Sequence, residues 1–129
     1  LVHWMLMGTP VEDPNLYKNQ TALLEKAADL PNWMHDKLPQ GILQVRSQLL
    51  TKGKQPVVMY AHCEGGADRT GEFSAAYYMQ YQNMTMAAAF QLDDQIAGRQ
   101  IHLSEQWAAE WYCWYLASAL DFDLTCQSS

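Results

Sequence analysis

The stretch between residues 56 and 82 constrains the fold more than any other part of the chain. Pro56 opens Val57-Val58-Met59-Tyr60-Ala61, a short continuous apolar run of the kind buried in a parallel strand. The run feeds a polar, glycine-bearing segment, His62-Cys63-Glu64-Gly65-Gly66-Ala67-Asp68-Arg69-Thr70-Gly71, and a helical pattern follows over residues 71–82. Strand, glycine loop and helix in that order predict an α/β fold. Its expected form is a central, mostly parallel sheet flanked by helices, with the loop joining strand to helix.

The rest of the chain is read around that unit. Residues 2–7 form a second candidate strand, closed by Gly8-Thr9-Pro10. Residues 11–19 lack periodicity and read as loop. Leu23, Leu24, Ala27 and Ala28 stand at helical spacing, so a helix is expected over 21–29, stopping before Pro31. Residues 31–38 read as a second loop. Pro39 suits the first turn of a helix carrying Ile42, Val45 and Leu49, with Gly53 fit to end it. Thr85 is placed to cap a helix running to about Gly98, and Ser104 to open a last, Trp- and Tyr-rich helix reaching Ser118. No repeat or linker interrupts the 129 residues, which are expected to form a single domain.

Composition narrows the partners. Eight Lys and Arg against fourteen Asp and Glu, a net charge of −6, give no footing for nucleic acid. No apolar run approaches the roughly 20 residues needed to span a bilayer. Three cysteines, Cys63, Cys113 and Cys126, are too few and odd in number for a disulfide framework, and their spacing matches no zinc site. Free thiols and a cytoplasmic location are therefore expected, with no metal or cofactor. Against this stand Asn19-Gln20-Thr21 and Asn83-Met84-Thr85, two N-glycosylation triplets that keep a secretory location as the alternative.

A loop between strand and helix turns backbone N–H groups inward, and the helix N-terminus adds partial positive charge. Here the loop begins with Cys63 and ends with Arg69, with five residues between them, a length that lets it curl around a tetrahedral dianion. Arg69 can donate two parallel hydrogen bonds to the oxygens of such an anion. The amides of residues 64–68 (Glu64, Gly65, Gly66, Ala67, Asp68) complete the cradle, and the two glycines permit close approach. The same donors lower the pKa of Cys63 and leave a thiolate aimed at phosphorus. Thr70 brings a hydroxyl that can donate to the sulfur.

His62-Cys63-x5-Arg69-Thr70-Gly71 resembles the signature of cysteine-dependent tyrosine and dual-specificity phosphatases. The resemblance implies a phosphomonoester hydrolase acting through a phosphocysteine, with His62 orienting the loop and tuning the thiolate. It also implies an aspartate about thirty residues upstream that acts as acid, then base. Trp33-Met34-His35-Asp36-Lys37-Leu38-Pro39 looks like the family's Trp-Pro-Asp loop, shifted so that His35 takes the aspartate's place and Asp36 the next. Asp36 is the preferred acid and Asp29 the alternative. Fewer residues precede Cys63 than a complete family core has, so a shortened or replaced N-terminal sheet belongs to the expectation.

Asp68 either orients Arg69, serves as a second acid, or is a solvated carboxylate. With Glu64 it puts two negative charges and no lysine in the loop, which favours a phosphotyrosine protein or small phosphomonoester over a highly phosphorylated lipid. Gln106 lies where relatives hold a polar residue that places water, while Trp107, Trp111, Tyr112, Trp114 and Tyr115 are read as packing. Two alternatives accompany the hydrolase: a weakly catalytic domain that binds phosphorylated partners, and a phosphoinositide phosphatase.

Overall fold

The computed structural model describes residues 11–34, 37–50 and 68–126. After a 3-10 turn at Pro14–Leu16 come α1 (Gln20–Ala28), α2 (Leu30–Trp33), α3 (Leu38–Leu50), α4 (Asp68–Tyr81), α5 (Met86–Ala97) and α6 (Leu103–Ala119). Among the described residues 74% are helical and 0% are in strands, which overturns the expected α/β fold with a central sheet. The two segments read as strands, residues 2–7 and 57–61, lie outside the described residues.

The physical reason for the helical core is α6. Positions 108–113 are buried without interruption, and at 3.6 residues per turn six consecutive positions sweep the whole helix circumference. A helix buried all round needs cover on every side. That cover comes from other helices: α1 and α4 are its main neighbours, with α2 and α5 adding smaller contacts, and α3 packs on α4. Trp111, Tyr112 and Leu116 of α6 are 0–1% exposed, each contributing about 1.5–3 kcal/mol of burial free energy.

Local signals set most helix ends. Asn19 caps α1, its Oδ1 accepting from Thr21 N at 2.9 Å and Ala22 N at 3.4 Å. Of the expected stripe, Leu23 and Ala27 are buried. Thr85 caps α5 through Ala88 N at 3.1 Å, and Gly98 ends it in the left-handed region at φ 76°, as the sequence predicts. The loop expected over 31–38 is in part the short α2, where Pro31 fixes a helical φ just after the turn at Asp29. In α3 the expected apolar stripe holds at Ile42, is half-buried at Val45 and fails at Leu49, which is 38% exposed. The described part of α4 opens at Asp68, ahead of the expected start at Gly71, so Arg69 and Thr70, expected in the loop, are helical.

The cysteines depart from expectation too. Cys113 and Cys126 form a disulfide, where free thiols were expected. Beyond α6 the chain reverses at Asp121 (φ 58°), and Phe122 N donates to Leu116 O at 3.0 Å. The tail then runs back beside the helix and brings Cys126 to Cys113, with Cα atoms 5.6 Å apart. A closed loop of this size restricts the unfolded chain by about 3 kcal/mol.

Candidate functional site

Of the residues singled out for phosphate chemistry, His62, Cys63, Glu64, Gly65, Gly66, Ala67, His35 and Asp36 lie outside the described residues. Asp68, Arg69, Thr70 and Gly71 are described, and together they form the first turn of α4. The first four N–H groups of an α-helix have no partner within it, and that end carries partial positive charge. Arg69 is half-buried there. The Thr70 hydroxyl is fully buried and makes no hydrogen bond among the described residues. A buried hydroxyl without a partner costs about 1–3 kcal/mol.

Asp68 is not a solvated carboxylate. Its Oδ1 accepts from Arg99 Nη1 at 3.0 Å and from His102 N at 2.7 Å, and its Oδ2 accepts from Arg99 Nη2 at 2.9 Å. The bidentate bond to Arg99 is the main reason its pKa lies below the ordinary carboxylate value, with His102 assisting. An aspartate held ionised this firmly makes a poor proton donor. Its pairing also corrects the charge argument drawn from the loop, because Arg99, thirty-one positions away, locally cancels one of the two negative charges.

Segment 98–102 therefore lies across the start of α4. Ile101, 2% exposed, packs against Gly71 so closely that a Cβ on that glycine would sit 2.8 Å from Ile101 Cγ2. The need for glycine at position 71 is thus one of space. Gln106, in the first turns of α6, donates from Nε2 to Ile101 O at 2.7 Å and braces the same segment. The resemblance offered Gln106 as a residue that places water; here its amide supports the residue that covers Gly71.

Beneath this turn sits Asp93 of α5, which sequence reasoning missed. It is 5% exposed, its Oδ2 makes no hydrogen bond among the described residues, and it lies 3.5 Å from the position a Cβ on Gly71 would take. Burial, reinforced by the neighbouring charge of Asp94, raises its pKa to about 7. A signal was present in the spacing. Met86, Ala89 and Asp93 share one helical stripe, and the first two are buried. Arg99 left no comparable signal, since its partner is distant in sequence.

The alternative acid, Asp29, closes α1 and accepts from Asn32 Nδ2 at 2.5 Å, as a helix-ending polar residue does. Described residues on either side of Asp36 are packed into the core. Trp33 Nε1 donates to Lys26 O at 2.7 Å, and Met34 and Leu38 are buried. Trp111 and Tyr112 pack the core as expected, and Trp114 and Tyr115 are partly buried against it. Compared with protein-family models, curated proteins and solved structures, the chain matches none.

Proposed function

We propose that the chain is a phosphomonoester hydrolase that works through a phosphocysteine on Cys63, with phosphotyrosine proteins or small aryl phosphates as its substrate class. The observation that supports this most is the first turn of α4. Arg69 and the helix N-terminus stand at the end of a Cys-x5-Arg segment, and Thr70 holds a buried hydroxyl with no bond partner among the described residues. Binding an anion at a helix N-terminus does not depend on a sheet behind it.

In the proposed reaction the Cys63 thiolate attacks phosphorus and the bond to the leaving oxygen breaks. Asp36 supplies the proton that oxygen takes. The Asp36 carboxylate then accepts a proton from water, whose oxygen attacks phosphorus and breaks the P–S bond, releasing inorganic phosphate and the thiolate. Arg69 and the loop amides hold the equatorial oxygens, and Thr70 donates to the departing sulfur. Asp68 does not share the acid role, because Arg99 keeps it ionised.

The test is hydrolysis of an aryl phosphate by the wild type and by Cys63→Ser. The variant is expected to lose turnover by roughly a thousandfold or more. Wild-type turnover in Cys63→Ser would overturn the assignment. Asp36→Ala, measured for turnover and for substrate affinity, separates the hydrolase from a binding domain: the hydrolase loses the first and keeps the second.

A further inference from the structure

The four asparagines of the chain divide into two kinds. Asn15 and Asn32 lie outside any Asn-x-Ser/Thr triplet, and both, though exposed, engage Nδ2 in side-chain hydrogen bonds. Asn15 donates to Asp13 at 3.0 Å and to Glu110 at 2.9 Å, and Asn32 donates to Asp29. Asn19 and Asn83 are the two that head triplets. They are exposed like the other two, but neither donates from Nδ2 to any described residue. Asn19 uses only its oxygen, as the cap of α1. Asn83 sits at φ 55° in the turn between α4 and α5, a conformation that asparagine tolerates well. Nδ2 is the atom that carries an N-linked sugar, and the fold keeps it available at the two positions where the triplet would direct one.

A second, independent observation points to the same environment. The Cys113–Cys126 bridge ties the tail to α6 with both residues 0–1% exposed. Disulfides of this structural kind form and persist in oxidising compartments. The bridge also uses every cysteine except Cys63, so a thiol at that position has no partner cysteine within the chain.

We propose that Asn19 and Asn83 are N-glycosylation sites and that the chain matures in an oxidising, secretory compartment. At each site Nδ2 gives up one hydrogen and bonds to the anomeric carbon of an oligosaccharide. That carbon's bond to a lipid pyrophosphate, the donor, breaks and the lipid pyrophosphate leaves. The bridge forms by thiol–disulfide exchange, in which Cys113 and Cys126 lose two hydrogens and two electrons to an oxidised protein dithiol. A glycan on Asn83 leaves the phosphate end of α4 open. The asparagine follows the C-terminus of that helix, and its 14 residues separate it from Arg69 by about 20 Å. The proposal stands apart from the phosphatase reading and can hold without it.

The test takes the protein from its own source, alkylated without reduction and then treated with peptide N-glycosidase in heavy-oxygen water. Heavy aspartate at positions 19 and 83, with Cys63 as the sole alkylated cysteine, is the expected result. Unmodified asparagine at both positions, or alkylated Cys113 and Cys126, overturns the proposal. Modification at one position alone upholds the compartment and removes the other site.

Discussion

The two ends of the molecule handle polar groups in opposite ways. Around Trp111, where the N-terminal segment meets α6, the polar handles find partners. Trp111 Nε1 donates to Glu12 O at 2.9 Å, Trp33 Nε1 to Lys26 O, and Asn15 Nδ2 to the buried Glu110. The rings of Tyr17 and Trp33 meet Trp111 edge-on, at 5.5 and 5.3 Å. At the start of α4, by contrast, Thr70 Oγ1 and Asp93 Oδ2 are buried without hydrogen bonds among the described residues. Folding gains little from leaving such groups unpaired. Among the described residues the first region satisfies its polar groups, and the second leaves two of them buried and unsatisfied.

Substitutions can break this contrast or sharpen it. The largest stability effect is expected from Trp111→Ala, a loss of about 3–5 kcal/mol. Denaturant unfolding should show it, while activity per folded molecule stays near wild type. Arg69→Lys should do the reverse. The point charge of lysine cannot reproduce two parallel bonds, so turnover of an aryl phosphate should fall by roughly 10²–10³-fold with little change in the unfolding midpoint. If the two variants behaved alike, the division between the regions would be lost.

Asp93→Asn probes the buried carboxylate through pH. The folded pKa of about 7 lies above the ordinary value of 3.8, so the folded protein binds the extra proton between these values. The stability contributed by Asp93 is therefore fully present below about pH 4 and falls as pH rises towards 7. A carboxamide in its place cannot ionise, so that decline should shrink by on the order of 2 kcal/mol, less than full linkage because water reaches an ionised group. A chemical denaturation series across this range measures it; a slope equal to wild type would deny Asp93 its raised pKa.

The smallest effect belongs to Asp68→Asn. The carboxylate is 20% exposed and Arg99 47% exposed, so the pair should contribute only about 1 kcal/mol, diminishing with added salt. Because the folded pKa is lowered, this contribution is present above the unfolded carboxylate range and is lost as pH falls through the folded value. Stability at neutral pH and at pH about 3 should therefore differ less in the variant than in wild type.

Features governed by neighbours along the chain were legible in advance. The caps at Thr85 and Gly98, the helix over 20–28 and the aromatic last helix all follow from side chains acting within one or two turns. The Cys-x5-Arg segment belongs to this class, as a matter of spacing alone. The α/β expectation was drawn from two short segments that lie outside the described residues, whereas the described core is helical because α6 is covered by other helices. What speaks against a sheet is the way α6 is covered, and that cover depends on the pairing of distant faces.

What the sequence determined by itself is therefore local: the caps at Thr85 and Gly98, the spacing of Cys63 and Arg69, and which asparagines head glycosylation triplets. Only the tertiary structure decided that Arg99 neutralises Asp68, that Ile101 excludes a side chain at position 71, that Asp93 is buried beneath the turn, and that Cys126 meets Cys113. Each of these joins residues at least 13 positions apart. Their contacts depend on how helices pack and on where the chain reverses, information that no local window of residues holds.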